Sequence, residues 1–196
     1  VRVFGTKDDY RGELYNYIKP DKSEVFIYYT GHGAPDIETR SAYFVPSDCH
    51  PNYVKLNGYS LDLFYENLSK IPARSMTVII DACFSGASER GMLIAKASPL
   101  MVAPITGKFV KNMNIFTSAS GEEISSWYPE KGHGLFTYFF LRALQGEADS
   151  NRDKNLTFGE IEDYVKENVS FLARKMYGRK QTPKFIGDRD KVIVKY

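Results

Sequence analysis

Cysteine is scarce in this chain: Cys49 and Cys83 are the only two in 196 residues. That is too few for a disulfide framework and is compatible with a reducing compartment. Charge of one sign is also lacking, since 26 basic residues against 24 acidic leave a formal net charge of +2. Such a balance marks no polyanionic partner, and nucleic acid is not expected as a ligand. No apolar run approaches the ~20 residues of a membrane helix. No leader of signal-peptide pattern opens the chain at Val1. A membrane partner is therefore not expected; the compartment is not specified, with the cytoplasm slightly favoured. With only three histidines, the adjacent Cys49 and His50 find no further ligands at zinc-site spacing, and His50 reads as surface. Internal repeats, low-complexity tracts and linkers are missing too. The whole chain, 1–196, reads as one domain with a core of its own, at 43% hydrophobic residues.

What the chain does have is the stretch Val78-Ile79-Ile80-Asp81-Ala82-Cys83-Phe84-Ser85-Gly86. An apolar β-rich run closed by turn residues predicts a strand covered on both faces, with Cys83 just beyond its C-terminal end. Ligand and catalytic groups of open α/β sheets gather where such strands end. Glu24 to Thr30 (EVFIYYT) predicts a second buried strand, broken by Gly31-His32-Gly33.

Around these two strands the pattern alternates. Asp8 to Lys19 has helical spacing, and Ser41 to Asp48 reads as an edge strand or hairpin arm because of Pro46. Ser60 offers an N-cap to a helix carrying Leu61, Phe64, Leu68 and Ile71 on one face. Residues 87–112 form a long loop, with Arg90, Lys96, Lys108 and Lys111 scattered through it. Asn114 to Ser118 predicts a strand, Leu135 to Leu144 and Gly159 to Tyr177 two helices with a polar turn between, and Lys191 to Lys195 a last strand. Trp127 could wall a substrate pocket or cover core, the second being favoured, and His133 reads as a turn residue. The alternation predicts an α/β sandwich with a mainly parallel central sheet flanked by helices.

If the strands ending near His32 and Cys83 are parallel neighbours, about 4.8 Å apart, imidazole and thiol meet at one sheet edge. Singly, each would read as structural. Together they suggest acyl transfer, the His raising the thiolate fraction and later protonating a leaving amine. Gly33, without a Cβ, lets backbone approach a carbonyl, and its N–H with that of Cys83 could form an oxyanion hole.

Tyr29-Thr30-Gly31-His32-Gly33, followed by Asp81-Ala82-Cys83-Phe84-Ser85-Gly86, resembles the caspase-like cysteine peptidases, most of all the metacaspases and their prokaryotic relatives. The two residues are 51 apart (83 − 32), close to the spacing of about 50 found in caspases. The caspase Gln-Ala-Cys signature is absent, and Phe84 stands where metacaspases usually place a histidine. The resemblance implies a caspase-like three-layer sandwich whose opening strands precede Val1, so that a separate N-terminal segment would complete the sheet. It also implies endopeptidase activity on a peptide or protein substrate. Asp81 would line the S1 pocket and favour Arg or Lys at P1, by charge-assisted pairing; it could equally cap the turn at the strand end. The loop Ser118-Ala119-Ser120 would border the pocket, and Glu122, Glu123 and Glu130 are local candidates for a second acid. Self-cleavage in the 87–112 loop and an ordinary solvated loop are both open.

Asp149, Asn151, Asp153, Asn155, Thr157 and Glu160 stand at the ligand positions of an EF-hand loop, with Lys154 where the glycine of the sharp turn belongs. Calcium is a possible cofactor there, although none is needed for the dyad chemistry. Thr157 and Glu160 also fit a capping box without any metal. Beside the peptidase, two other readings stand: an inactive caspase-like scaffold that binds peptides, and a calcium-responsive interaction module.

Overall fold

The run that closes on Asp81 becomes an inner strand of the sheet. The computed structural model describes residues 18–36, 41–50, 53–84, 87–88, 91–92, 112–121 and 123–196. In chain order these give β1 (Glu24–Thr30), β2 (His32–Asp36), β3 (Ser41–Val45), α1 (Val54–Asn57), β4 (Tyr59–Ser60), α2 (Leu61–Ser69), β5 (Ser75–Asp81), β6 (Ala87–Ser88), β7 (Gly91–Met92) and β8 (Met113–Thr117). There follow β9 (Trp127–Tyr128), β10 (His133–Gly134), α3 (Leu135–Arg142), β11 (Asn155–Thr157), α4 (Phe158–Tyr177), β12 (Lys184–Ile186) and β13 (Val192–Lys195).

The main sheet has the order β1-β5-β8-β12. Its first three strands are parallel, and β12 runs antiparallel at the edge. Every residue of β5 is buried. Its side chains alternate between two cores: Met76, Val78 and Ile80 pack with Leu61, Tyr65 and Leu68 of α2, while Ile79 packs with Phe136 and Phe140 of α3 and Ile161 and Val165 of α4. A strand covered on both faces needs no polar alternation, which is why its sequence is a continuous apolar run. Each such side chain contributes about 1.5–3 kcal/mol by burial. On the second face Phe116 is ringed by Phe140, Phe158 and Phe185, at centroid distances of 5.5, 6.0 and 4.6 Å. The result is the three-layer α/β sandwich with a mainly parallel sheet that the sequence predicts.

Local signals set the ends. Ser60 Oγ accepts the Leu63 N–H at 3.4 Å and caps α2. Thr157 and Glu160 form a reciprocal capping box on α4, which closes at Gly178 in the left-handed region. Pro46 lies just past β3, which is a hairpin arm but not an edge: it is the middle strand of a separate antiparallel sheet of order β2-β3-β4.

Several features differ from the sequence reading or add to it: β1, expected to be buried, alternates exposed and half-buried residues along its whole length. Residues 31–33 do not simply break a strand: His32 starts β2 itself, which pairs with β3. The C-terminal strand leaves the main sheet and pairs with β11, Val194 opposite Leu156, because the edge beside β8 is taken by β12. The sequence reading missed β12, whose three residues are too few for a periodicity. Trp127 is 52% exposed and covers no core. The helix expected over Asp8–Lys19 lies outside the described residues except for Ile18 and Lys19, as do Arg90, Lys96, Lys108 and Lys111 of the long loop. Among the described residues, no helix is long and apolar enough to cross a membrane.

Candidate active site

The register of β1 on β5 builds the site. Thr30 lies opposite Asp81, and the ladder continues one step further, Gly31 donating its N–H to the Asp81 carbonyl at 3.3 Å. His32 and Cys83 therefore both stand two residues beyond the paired Thr30 and Asp81, at the same C-terminal edge. Tyr29 Oη donates to the His32 carbonyl at 2.8 Å and ties the turn to β1. The His32 residue is exposed, and Cys83 is half-buried.

Gly33 is the joint between the two halves. A Cβ there would stand 2.6 Å from the Cys83 carbonyl oxygen and 2.5 Å from Phe84 Cδ1. The glycine is thus required by close packing against the cysteine's own backbone, a reason the sequence did not disclose. Phe84 is buried, its ring 5.9 Å from that of Phe44, so it is committed to the core.

The thiol's hydrogen-bond partner is Ser125, whose N–H donates to Cys83 Sγ at 2.7 Å; the thiol in turn reaches the Ser125 carbonyl at 3.7 Å. Burial pushes the Cys83 thiol up, and the Asp81 charge adds to this; the Ser125 bonds and the charge of Arg179 pull it down.

Asp81 is 5% exposed. The Thr137 hydroxyl donates to its Oδ2 at 2.5 Å, and Tyr28 Oη lies 2.8 Å from the same Thr137 oxygen. Burial raises the carboxyl above the ordinary carboxylate range, against the pull of the Thr137 hydroxyl and backbone and of the Ser118 and Ser125 hydroxyls. Gly134 abuts it so closely that a Cβ would fall 2.3 Å from Oδ2. Ser118 is fully buried, bonded to Ser125 Oγ and, at 3.4 Å, to the Ala82 carbonyl. Ser120 Oγ donates to the Thr182 carbonyl at 3.1 Å.

These positions bring Cys83, Asp81 and Ser118 together beside Ser125 and Thr137, with His32 and Gly33 across the sheet edge. Glu123 is not among them: it accepts the N–H groups of Ser120 and Thr182 and so braces the loop. Glu130 sits in an exposed turn, and Glu122 lies outside the described residues. Sequence reasoning missed Ser125 and Arg179, which act on the thiol, and Gln181, which bonds Ser126 and Ser118; none carries a spacing signal, and only the fold brings them here.

The family model for the caspase domain matches residues 2–192. The chain belongs to the caspase-domain family. This is a family of cysteine peptidases, as the two motifs predict. A solved structure of caspase-1 from Spodoptera frugiperda aligns with this caspase domain at a TM-score of 0.49 and 15% identity, over 84% of this chain and 59% of that one. The chain thus spans 59% of the length of that solved chain. No curated protein matches the chain.

In the polar turn before α4, Lys154 has φ 65° and supplies the left-handed turn usually left to glycine. Asp149 Oδ2 accepts the Lys154 N–H at 3.1 Å, while its buried Oδ1 has no hydrogen-bond partner. Asn151 and Asp153 make Asx turns to Asp153 and Asn155. Glu160 is engaged in the cap, Oε2 accepting the Thr157 N–H and hydroxyl at 3.0 and 2.8 Å. Among the described residues no three acidic, His or Cys side chains gather as a metal cluster. Cys49 is buried and His50 exposed, its ring 5.5 Å from Tyr53. His133 opens β10 opposite Tyr128.

Proposed function

We propose that the chain is a cysteine endopeptidase with a Cys83–His32 dyad that cleaves after Arg or Lys. The observation that carries this is the Thr30–Asp81 register, which sets both residues at one sheet edge with Gly33 against the Cys83 backbone. Because burial holds the thiol up, attack needs a base. His32 takes the proton as Sγ bonds to the scissile carbonyl carbon, and the N–H groups of Gly33 and Cys83 receive the oxyanion. His32 then gives that proton to the leaving amine as the C–N bond breaks, and water, deprotonated by His32, hydrolyses the thioester.

Asp81 is the proposed reader of P1. Hydroxyls now occupy its oxygens, so a guanidinium or ammonium would engage it by displacing one of them and drawing the acid into its ionised form. Ser118 and Ser120 support the wall. The metacaspase-like motifs favour the same specificity. The test is a fluorogenic peptide panel varied at P1, run on wild type, Cys83→Ala and His32→Ala. Turnover confined to Arg and Lys and lost in both variants is expected; cleavage that survives Cys83→Ala would sink the dyad. No turnover on any P1 would leave a peptide-binding scaffold.

A second reading concerns calcium at Asp149 to Glu160. It is favoured by the unpartnered, buried Asp149 Oδ1 and by the left-handed Lys154. Asp149, Asn151 and Asp153, with the Asn155 carbonyl, would hold the ion, Thr157 would act through a water, and Glu160 would have to swing from its cap to join them. Calorimetric titration with calcium on wild type and Asp149→Asn decides it. Heat in wild type alone is expected; no heat and no thermal shift in wild type removes the reading.

A further inference from the structure

Two side chains beyond the last helix grip the loop that bonds the nucleophile. After α4 the left-handed Gly178 turns the chain back, and Arg179 and Gln181 both meet Ser126. Arg179 Nε and Nη2 donate to Ser126 Oγ at 3.2 and 3.0 Å. Gln181 is fully buried with both ends of its amide used: Oε1 accepts the Ser126 N–H at 2.8 Å, and Nε2 donates to the Ser118 carbonyl at 3.0 Å. Tyr177, whose ring lies 4.9 Å from the Arg179 guanidinium, donates its hydroxyl to the Trp127 carbonyl at 2.6 Å. The residue just before these clamped positions is Ser125, the donor to Cys83 Sγ.

We propose that Arg179, with Gln181, is a positioning element for the Cys83 nucleophile, clamping Ser126 so that the Ser125 N–H stays on the sulfur. Its planar fork fixes Ser126 from two nitrogens, which a lysine cannot do. An N–H aimed at sulfur, and a nearby positive charge, both favour the thiolate. Of the charged groups around the thiol, Asp81 on the same strand opposes ionisation and Arg179 favours it. His32 stands across the sheet edge, and Glu123 in the loop is bound to Thr182. Through the nitrogens that bind Ser126, Arg179 acts on Cys83 by way of the Ser125–Ser126 segment. Its role in catalysis rests on Cys83 being the nucleophile.

The test reads the thiol directly. Wild type, Arg179→Ala, Arg179→Lys and Ser126→Ala are alkylated with iodoacetamide across pH, and labelling at Cys83 is resolved from Cys49 by peptide mass spectrometry. Peptide hydrolysis is followed in parallel. Arg179→Ala is expected to move the alkylation midpoint upward by about one pH unit, roughly a tenfold loss of thiolate near neutrality. The kcat should fall by a similar factor, recover at higher pH, and leave KM unchanged. Ser126→Ala, which keeps the charge but removes the clamp, should move the midpoint in the same direction by less. Coincident profiles for wild type and a folded Arg179→Ala overturn the proposal; if that variant does not fold, unmoved midpoints in both Arg179→Lys and Ser126→Ala overturn it. A shifted midpoint in a protein that cleaves no peptide supports the positioning while removing the peptidase reading, so the two failures are distinct.

Discussion

Thr30 faces Asp81 across the β1–β5 ladder, and from this pair His32 and Cys83 leave their strands after equal steps. Parallel neighbours keep corresponding residues level, so the proposed base and nucleophile, 51 residues apart (83 − 32) in sequence, reach one edge without any long excursion of backbone.

The proposed dyad should fail in two separable ways. Cys83→Ala removes the attacking atom and should abolish turnover. His32→Ala keeps the thiol and should lower kcat by about 10²- to 10⁴-fold, the usual worth of general acid–base catalysis. Steady-state kinetics measures both; a His32→Ala enzyme with unaltered kcat would remove histidine from the mechanism.

Gly33→Ala puts a methyl within 2.6 Å of the Cys83 carbonyl and against the Phe84 ring. The carbonyl belongs to a packed backbone and cannot step aside freely. Overpacking of this kind costs about 1–3 kcal/mol. Thermal melting should show that loss, with turnover falling further than stability because the thiol itself is displaced.

Asp81 gives stability a pH dependence of definite sign. Its folded carboxyl is raised above the ordinary value of 3.8, so between the two values the folded state binds more protons than the unfolded chain. Stability contributed by the protonated acid is present below 3.8 and is lost as pH rises through the folded value. Urea unfolding across pH should show that decline in wild type, and Asp81→Asn should flatten it. A decline unchanged in Asp81→Asn would assign it to another group.

The capping box at α4 has the opposite sign. Burial acts to raise the Glu160 carboxyl, but the bonds from Thr157, Asn151 and Ser150 outweigh it and hold the group below its usual 4.5. Its contribution is therefore present above 4.5 and disappears as pH falls through the lowered value. Thr157→Ala should cost about 1 kcal/mol, readable as a lower melting temperature near neutrality.

Much of this was legible because it was local. The buried run of β5, the Ser60 cap, the Thr157–Glu160 box and the end of β3 before Pro46 are each written in a few consecutive residues. The motifs at His32 and Cys83 were legible too, since strand ends are where small and polar residues interrupt apolar runs. What escaped depended on partners distant in sequence. Ser125, Arg179 and Gln181 read as ordinary polar residues until the turn after α4 brings positions 179 and 181 against 126. The three residues of β12 gain their identity only from the ladder with β8. Trp127 was expected to cover core, yet it is half exposed in its two-residue strand.

The absence of a side chain at Gly134 leaves room for the Asp81 carboxylate beneath the start of α3, where a Cβ would fall 2.3 Å from Oδ2. Positions 81 and 134 are therefore bound into a single evolutionary choice. A lineage that keeps the acid must keep the glycine, and one that abandons the acid is free to fill the gap, so the two positions should change together or not at all.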